Sequence, residues 1–374
     1  MATHRAWVQH ELGGKLNLEH VSTPTPSTGQ VLVKVLATPL LSYTNAVLSG
    51  SLFPLVHPLT PGIAAIARIS ATGPDTTSLK PGQLVFCSPV IRARDDPTGG
   101  HAILHGWFGG LTPEARKLME GPWRNGAWAE KMLVPCENVV VLDEALLTGA
   151  EGMGYKIEQL MRINEFVVPF GGWLAAEIKA GDVVIVAPST GHFGGAAVQV
   201  SLALGVKKVV AAGRNSDLLK KVSALDKRGR VLSVQLTGDT TTDTTALQKA
   251  AGSTGADAYL DFSPPQAAGS THPSACISAL KHGGRAILMG GITSEIKLNY
   301  AQLMLRNIAV RGNFMYPPAA PRMLVNLVES GLLDLHSGNL QSFAFEDLHD
   351  GIAAAEKSAG AGELTVLSLA QTVS

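Results

Sequence analysis

The chain has 374 residues, with 30 Lys and Arg against 30 Asp and Glu and a formal net charge of zero. That balance offers no electrostatic footprint for nucleic acid or an anionic membrane surface, and no apolar run is long enough to predict a transmembrane helix. With 45% hydrophobic residues, 40 Gly and 21 Pro, the composition fits a turn-rich α/β globular protein with room for two modest domains.

The first nine residues lack the apolar core of a signal peptide. Cys87, Cys136 and Cys276 are odd in number and far apart, which argues against a disulfide framework and against metal-ligand spacing. A soluble, cytoplasmic protein is expected. In chain order, residues 30–37 alternate polar and apolar, as a half-buried strand does. Short apolar runs at 62–69, 83–89, 127–135 and 139–142, separated by Gly and Pro, predict a small barrel or sandwich. An insertion at 91–125 interrupts them, with a short helix at 113–120 and the pair Trp107-Phe108.

The middle of the chain changes character. Helices are predicted at 158–164 and 173–179, then a β-branched run at 182–188 typical of a strand covered on both faces. A helix at 194–204, a strand at 207–212 and a helix at 218–225 follow. Further strands fall at 258–262, 286–289 and 309–311. Repeated β–α units predict a parallel, doubly wound sheet. Residues 237–245, rich in Thr, are expected to form a loop. The tail predicts helices at 322–333 and 347–357 around strands at 343–345 and 364–369.

The strongest chemical signal is the passage from strand 182–188 through Ser189, Thr190, Gly191, His192, Phe193 and Gly194 into a helix. A strand, a glycine turn and a helix start are the context in which such a pattern marks a dinucleotide site. Gly191 would admit the pyrophosphate, and Gly194 would let helix and strand pack closely. The helix N-terminus would supply free N–H groups and a positive dipole end. Ser189 stands where the first glycine is usual. The next strand ends at Gly213-Arg214-Asn215, with no acidic residue to hold a ribose 2′-hydroxyl. Glycine leaves room for a 2′-phosphate and Arg can grip it, so NADPH is preferred over NADH.

Across nearly its whole length the sequence resembles the medium-chain dehydrogenase/reductase superfamily. The resemblance rests on residues 30–37 with 42–50, Pro61-Gly62, Lys80-Pro81-Gly82, 126–135, Ala180-Gly181-Asp182, Gly283-Gly284-Arg285 and Gly290-Gly291. It implies a GroES-like catalytic domain (1–158, completed by 313–374) split around a Rossmann NADPH-binding domain (159–312). It also implies cofactor contacts at Ser263, Gly290, Gly291 and Asn313, and a possible homodimer through residues 286–314. Zinc-dependent members carry a Cys ligand where this chain has Leu40-Leu41-Ser42-Tyr43, and Gly-His-Glu where it has Gly62-Ile63-Ala64. Ile and Ala cannot ligate zinc, and the insertion lacks the four cysteines of a structural zinc loop. No metal is expected.

What remains resembles the zinc-free branch of quinone oxidoreductases and enoyl reductases, in which NADPH reduces an activated alkene or a quinone of a small organic substrate, with secondary metabolism as one setting. A zinc-independent carbonyl reductase, or a non-catalytic NADPH-binding protein, is the alternative. Phe53 falls where some enoyl reductases have a proton-donating Tyr. Hydride addition to an enone needs a hydrogen-bond donor at the oxygen. Tyr43 and Ser42 are the candidate catalytic residues, Tyr43 first because a phenol can donate to a developing oxyanion. Asn45, His57, Trp107, Phe108 and Trp173 are candidates for lining the substrate cleft. His101 and His105 lack a third ligand and a helical context for metal binding.

Overall fold

The computed structural model describes residues 2–370. The chain forms two compact units. One contains residues up to Asn164, then Asn339–Ala359 and the segment from Leu364; the other contains Glu165–Gly338 and Gly360–Glu363. The sequence boundaries expected at 158/159 and 312/313 thus stand at 164/165 and 338/339. Helix Ala320–Glu329 stays with the second unit, and it buries Leu324, Val325 and Val328 completely.

The first unit opens with a hairpin, Thr3–Gln9 paired with Leu16–Ser22. Its main sheet has seven strands, centred on Gln30–Leu40, which pairs with Ala65–Thr72, Lys131–Pro135 and Glu363–Ser368. All three pairings are antiparallel, and register shifts at Leu32/Val33 and Val35/Ala37 let this long strand bend. The core beneath holds Val31, Val33, Val35, Ala65, Ala67, Ile69, Val85, Met132 and Val134. The insertion is ordered: Val90–Arg92 pairs with Ala102–Leu104, and helix Pro113–Glu120 is capped by Thr112, whose hydroxyl accepts from the Ala115 N–H. Leu59, Ile91, Ile103, Ala115, Met119 and Trp123 form a satellite core there.

The second unit holds a six-stranded parallel sheet. Its spatial order is Val231–Gln235, Lys208–Gly213, Val183–Ala187, Ala256–Asp261, Leu280–Leu288, Ala309–Gly312. Numbered by sequence this is 3-2-1-4-5-6, the doubly wound order in which ligands bind where the winding reverses. Val184, Ile185, Val186 and Ala187 are all fully buried, which explains the unbroken apolar run in the sequence.

Two expectations fail in this unit. The predicted pair of helices is one, Arg162–Ala175, running through Pro169 and Gly171-Gly172. The glycines serve packing: a Cβ on Gly171 would lie 2.4 Å from the Tyr316 Cβ, and one on Gly172 would lie 2.5 Å from the Met289 sulfur. The Thr-rich segment is mostly helix, Thr240–Ala251. Asp239 caps it at the Thr242 N–H, and buried Asp243 accepts from the Thr237 N–H and hydroxyl, both at 2.8 Å. These side chains satisfy donors that a bare Thr-rich helix start would leave open.

Candidate active site: a dinucleotide loop and an aromatic loop

In the second unit, winding reverses between Val183–Ala187 and Ala256–Asp261. The loop leaving the first of these strands leads into helix His192–Ala203. No side chain caps that helix, and its N-cap is Gly191. Helices Ser216–Ser223, Thr240–Ala251 and Tyr300–Leu305 are instead capped by Asn215, Asp239 and Asn299. The two loop glycines differ in purpose. A Cβ on Gly194 would stand 2.0 Å from the Pro188 carbonyl oxygen, so glycine is needed for helix and strand to meet. A Cβ on Gly191 would meet nothing within 4 Å, and its φ of −83° is open to any residue. Nothing in the fold demands glycine there, and the open face over an uncapped helix start fits a pyrophosphate.

Arg214 follows the buried Gly213 at the end of the neighbouring strand. Its side chain is exposed and makes no hydrogen bond or ion pair among the described residues. Lys220 is paired with Asp217 at 2.9 Å.

Several predicted contacts have other employment. The Ser189 hydroxyl is fully buried and donates to the Ala212 carbonyl at 3.1 Å, tying two strand ends together. The Asn215 side chain accepts from the Asp217 and Leu218 N–H groups as a helix cap. The Asn313 amide donates to the Met315 carbonyl at 2.9 Å. Thr190 accepts the Ala361 N–H through its carbonyl at 3.1 Å. The His192 Nδ1 lies 3.1 Å from the Glu363 carbonyl and 3.8 Å from the buried Glu165 carboxylate, and Phe193 stacks on Phe262. Trp173 is buried, its indole N–H donating to Ala197, so it is a packing residue and lines no cleft.

The interior below Ser263 and Gly290-Gly291 carries a polar cluster that the sequence does not announce. Tyr259, Asp261, Ser263 and His272 are all buried there and joined by hydrogen bonds. The only signal was an Asp ending an apolar strand.

In the first unit, Ser42 and Tyr43 follow the central strand and precede helix Thr44–Leu48. Tyr43 meets Trp107 edge to face at 6.3 Å, and Trp107 meets Trp128 at 6.0 Å. Burial pushes the Tyr43 phenol pKa up, and contact with the Trp107 side chain partly offsets this. The phenol therefore keeps its proton at neutral pH. Trp107 is fully buried, Phe108 nearly so and packed on Phe53, so this pair anchors the insertion and does not cover a substrate. Ile63 and Ala64 are buried apolar residues beside Leu40 and Leu41 in kind. Asn45 is exposed and donates to Glu356 at 2.7 Å, lining a groove of about 420 Å³ with Gln9, Lys15 and His349. His57 pairs with Gln9 at 2.9 Å, and burial lowers its pKa. His101 and His105 flank strand Ala102–Leu104, and among the described residues no three His, Cys, Asp or Glu side chains gather as a metal site.

Two family models match the chain: an alcohol dehydrogenase GroES-like domain over residues 27–144 and a zinc-binding dehydrogenase over residues 193–330. An alcohol dehydrogenase of Moraxella sp. (strain TAE123) is 26% identical over 315 residues, 83% of this chain and 84% of its own length. A quinone oxidoreductase of Sus scrofa is 23% identical over 302 residues, 79% of this chain and 74% of its own. Among solved structures, a Sinorhizobium meliloti 1021 protein bound to NADP superposes with a TM-score of 0.77 at 18% identity, covering 98% of this chain and 100% of its own. An E. coli CFT073 alcohol dehydrogenase with NADH gives 0.78 at 16% identity, covering 99% and 100%. These structural likenesses carry the fold; the cofactors named are those of the other proteins.

Proposed function

From the premise that the chain belongs to the medium-chain dehydrogenase/reductase superfamily and is an oxidoreductase using a nicotinamide cofactor, we propose that it is an NADPH-dependent, zinc-independent reductase of an activated alkene or a quinone. The observation that carries the metal-free part is the pair Ile63 and Ala64, buried and apolar where zinc-dependent members present ligands. The lack of any three-ligand cluster among the described residues supports it.

Bound NADPH supplies a hydride. Gly191 and the uncapped first turn of helix His192–Ala203 hold the pyrophosphate. Arg214, exposed beside Gly213, grips the 2′-phosphate. The protonated Tyr43 phenol donates a hydrogen bond to the substrate oxygen on which negative charge develops. A second copy of the chain covers the open edge strand Ala309–Gly312, near which Tyr300, Met304, Leu305 and Phe314 are exposed. Light scattering checks this, a dimer being expected.

The deciding experiment follows NADPH oxidation with quinones, enones and aldehydes, with metal analysis of the same sample. Turnover of an enone at its carbon–carbon double bond, or of a quinone, by zinc-free protein is expected. Reduction of aldehydes alone would make it a carbonyl reductase. Tight NADPH binding with no turnover of any acceptor, or stoichiometric zinc required for turnover, would overturn the reading.

A further inference from the structure

We propose that His272 is a positioning residue for the cofactor cradle: through Ser263 and Asp261 its Nε2–H holds in shape the two loops that carry Ser263 and Gly290-Gly291. This rests on the dinucleotide reading above. Both loops leave the carboxyl ends of strands, Ala256–Asp261 and Leu280–Leu288, and the first of these borders the reversal of winding.

The directions of the hydrogen bonds follow from the donors present. The Tyr259 hydroxyl donates to Asp261 Oδ2 at 2.6 Å, and the Ser263 hydroxyl donates to the same oxygen at 2.7 Å. The Ser263 N–H donates to Oδ1 at 3.1 Å. A hydroxyl has one proton, so Ser263 Oγ must accept from His272 Nε2, 2.8 Å away. That fixes a proton on Nε2. In the neutral ring Nδ1 is then an acceptor, and Ser270 donates to it at 2.7 Å. Burial alone would push the Asp261 carboxyl up, but the adjacent His272 at 3.5 Å and bonds from Tyr259 and Ser263 hold it below the ordinary carboxylate range.

The carboxylate bonds to the first loop and lies against the second. A Cβ on Gly290 would lie 2.7 Å from Asp261 Oδ1 and 2.5 Å from the Ser263 carbonyl oxygen. The Gly291 N–H donates to that carbonyl at 2.7 Å, and the Met289 N–H donates to the Asp261 carbonyl at 3.1 Å. An ionised carboxylate in this interior is costly unless each lone pair is satisfied, and an apolar core would fill the space as well. What the polar version adds is a single geometry for the loop backbones.

The test compares His272→Leu with His272→Gln, whose amide N–H reaches the Nε2 position. It reads NADPH dissociation constants by fluorescence titration, with thermal unfolding as the check on folding. His272→Leu is expected to weaken NADPH binding about tenfold, and His272→Gln to stay within about threefold of the native protein. Ser263→Ala should match His272→Leu, and the double variant should be no worse than either alone. Unchanged affinity in a folded His272→Leu, or Gln no better than Leu, overturns the proposal. Should His272→Leu fail to fold, Ser263→Ala decides, and native affinity there overturns it. A native protein that binds neither NADPH nor NADH overturns the dinucleotide reading and this proposal with it.

Discussion

The loop between Ala187 and helix His192–Ala203 and the insertion at 91–125 are the two irregular segments that the sequence marks most strongly, and they are built in opposite ways. The first is open. Its helix start has no side-chain cap, and the space over Gly191 is empty. The second is closed. Ile103, Trp107 and Met119 are fully buried, and His105 and Phe108 are nearly so. An irregular segment with large apolar side chains makes its own core. One with glycines and unclaimed amide donors leaves polar groups for a partner to satisfy.

Substitutions can break this contrast, and the largest effect is expected at Gly194. Valine there would drive a carbon to 2.0 Å from the Pro188 carbonyl oxygen, costing about 3 kcal/mol and abolishing NADPH binding. Denaturant unfolding and nucleotide titration check this; a stable variant that binds normally would mean the helix start is not closely packed.

The closed segment has its own test. Burial lowers the pKa of His105 from 6.5 to about 4. A neutral His favours the fold where the unfolded chain is also neutral, so this contribution is complete above pH 6.5. Below that the unfolded state takes up the proton first, and stability is lost as pH falls toward 4, by about 3 kcal/mol in all. Unfolding at pH 7 and pH 4.5 should show the loss in the native protein and a flatter response in His105→Gln. Equal slopes would mean His105 is solvated.

Smaller effects belong to the open segment and to Arg214 at the end of the neighbouring strand. Arg214→Ala should weaken NADPH about 10- to 100-fold while leaving NADH within about threefold; equal losses for both would sink the 2′-phosphate assignment. Gly191→Ala should shift stability by less than about 0.5 kcal/mol yet weaken NADPH about tenfold by crowding the backbone approach. Loss of stability without loss of binding would reverse the roles given to the two glycines.

The alternation of strands and helices, and the loop at residues 189–194, were legible because apolar runs and glycines act locally. The continuous helix Arg162–Ala175 was not, because Pro169 and Gly171-Gly172 look like breakers until Tyr316 and Met289 are brought against them. The Thr240–Ala251 helix was hidden by low-propensity residues, and its N-cap Asp239, with Asp243 reaching back to Thr237, decides the outcome. At the site, residue type misled where the side chain had a structural bond to make. Ser189 and Trp173 are satisfied by backbone groups that only the fold supplies, and Asn215 by the N–H groups of the helix it caps. Asp261 and His272 escaped notice because their partnership spans a loop and is set by burial, which no short motif records.

The second unit reclaims four residues, Gly360–Glu363, long after the chain has left it. Ala361 donates its N–H to Thr190 and packs where a Gly195 side chain would stand, and the Glu363 carbonyl faces His192. On the ribosome, therefore, the loop after Ala187 emerges well before the residues that complete its contacts. A nascent chain can assemble its parallel sheet early and still lack the clasp on its first turn. The last contacts of this helix start thus wait for residues 360–363.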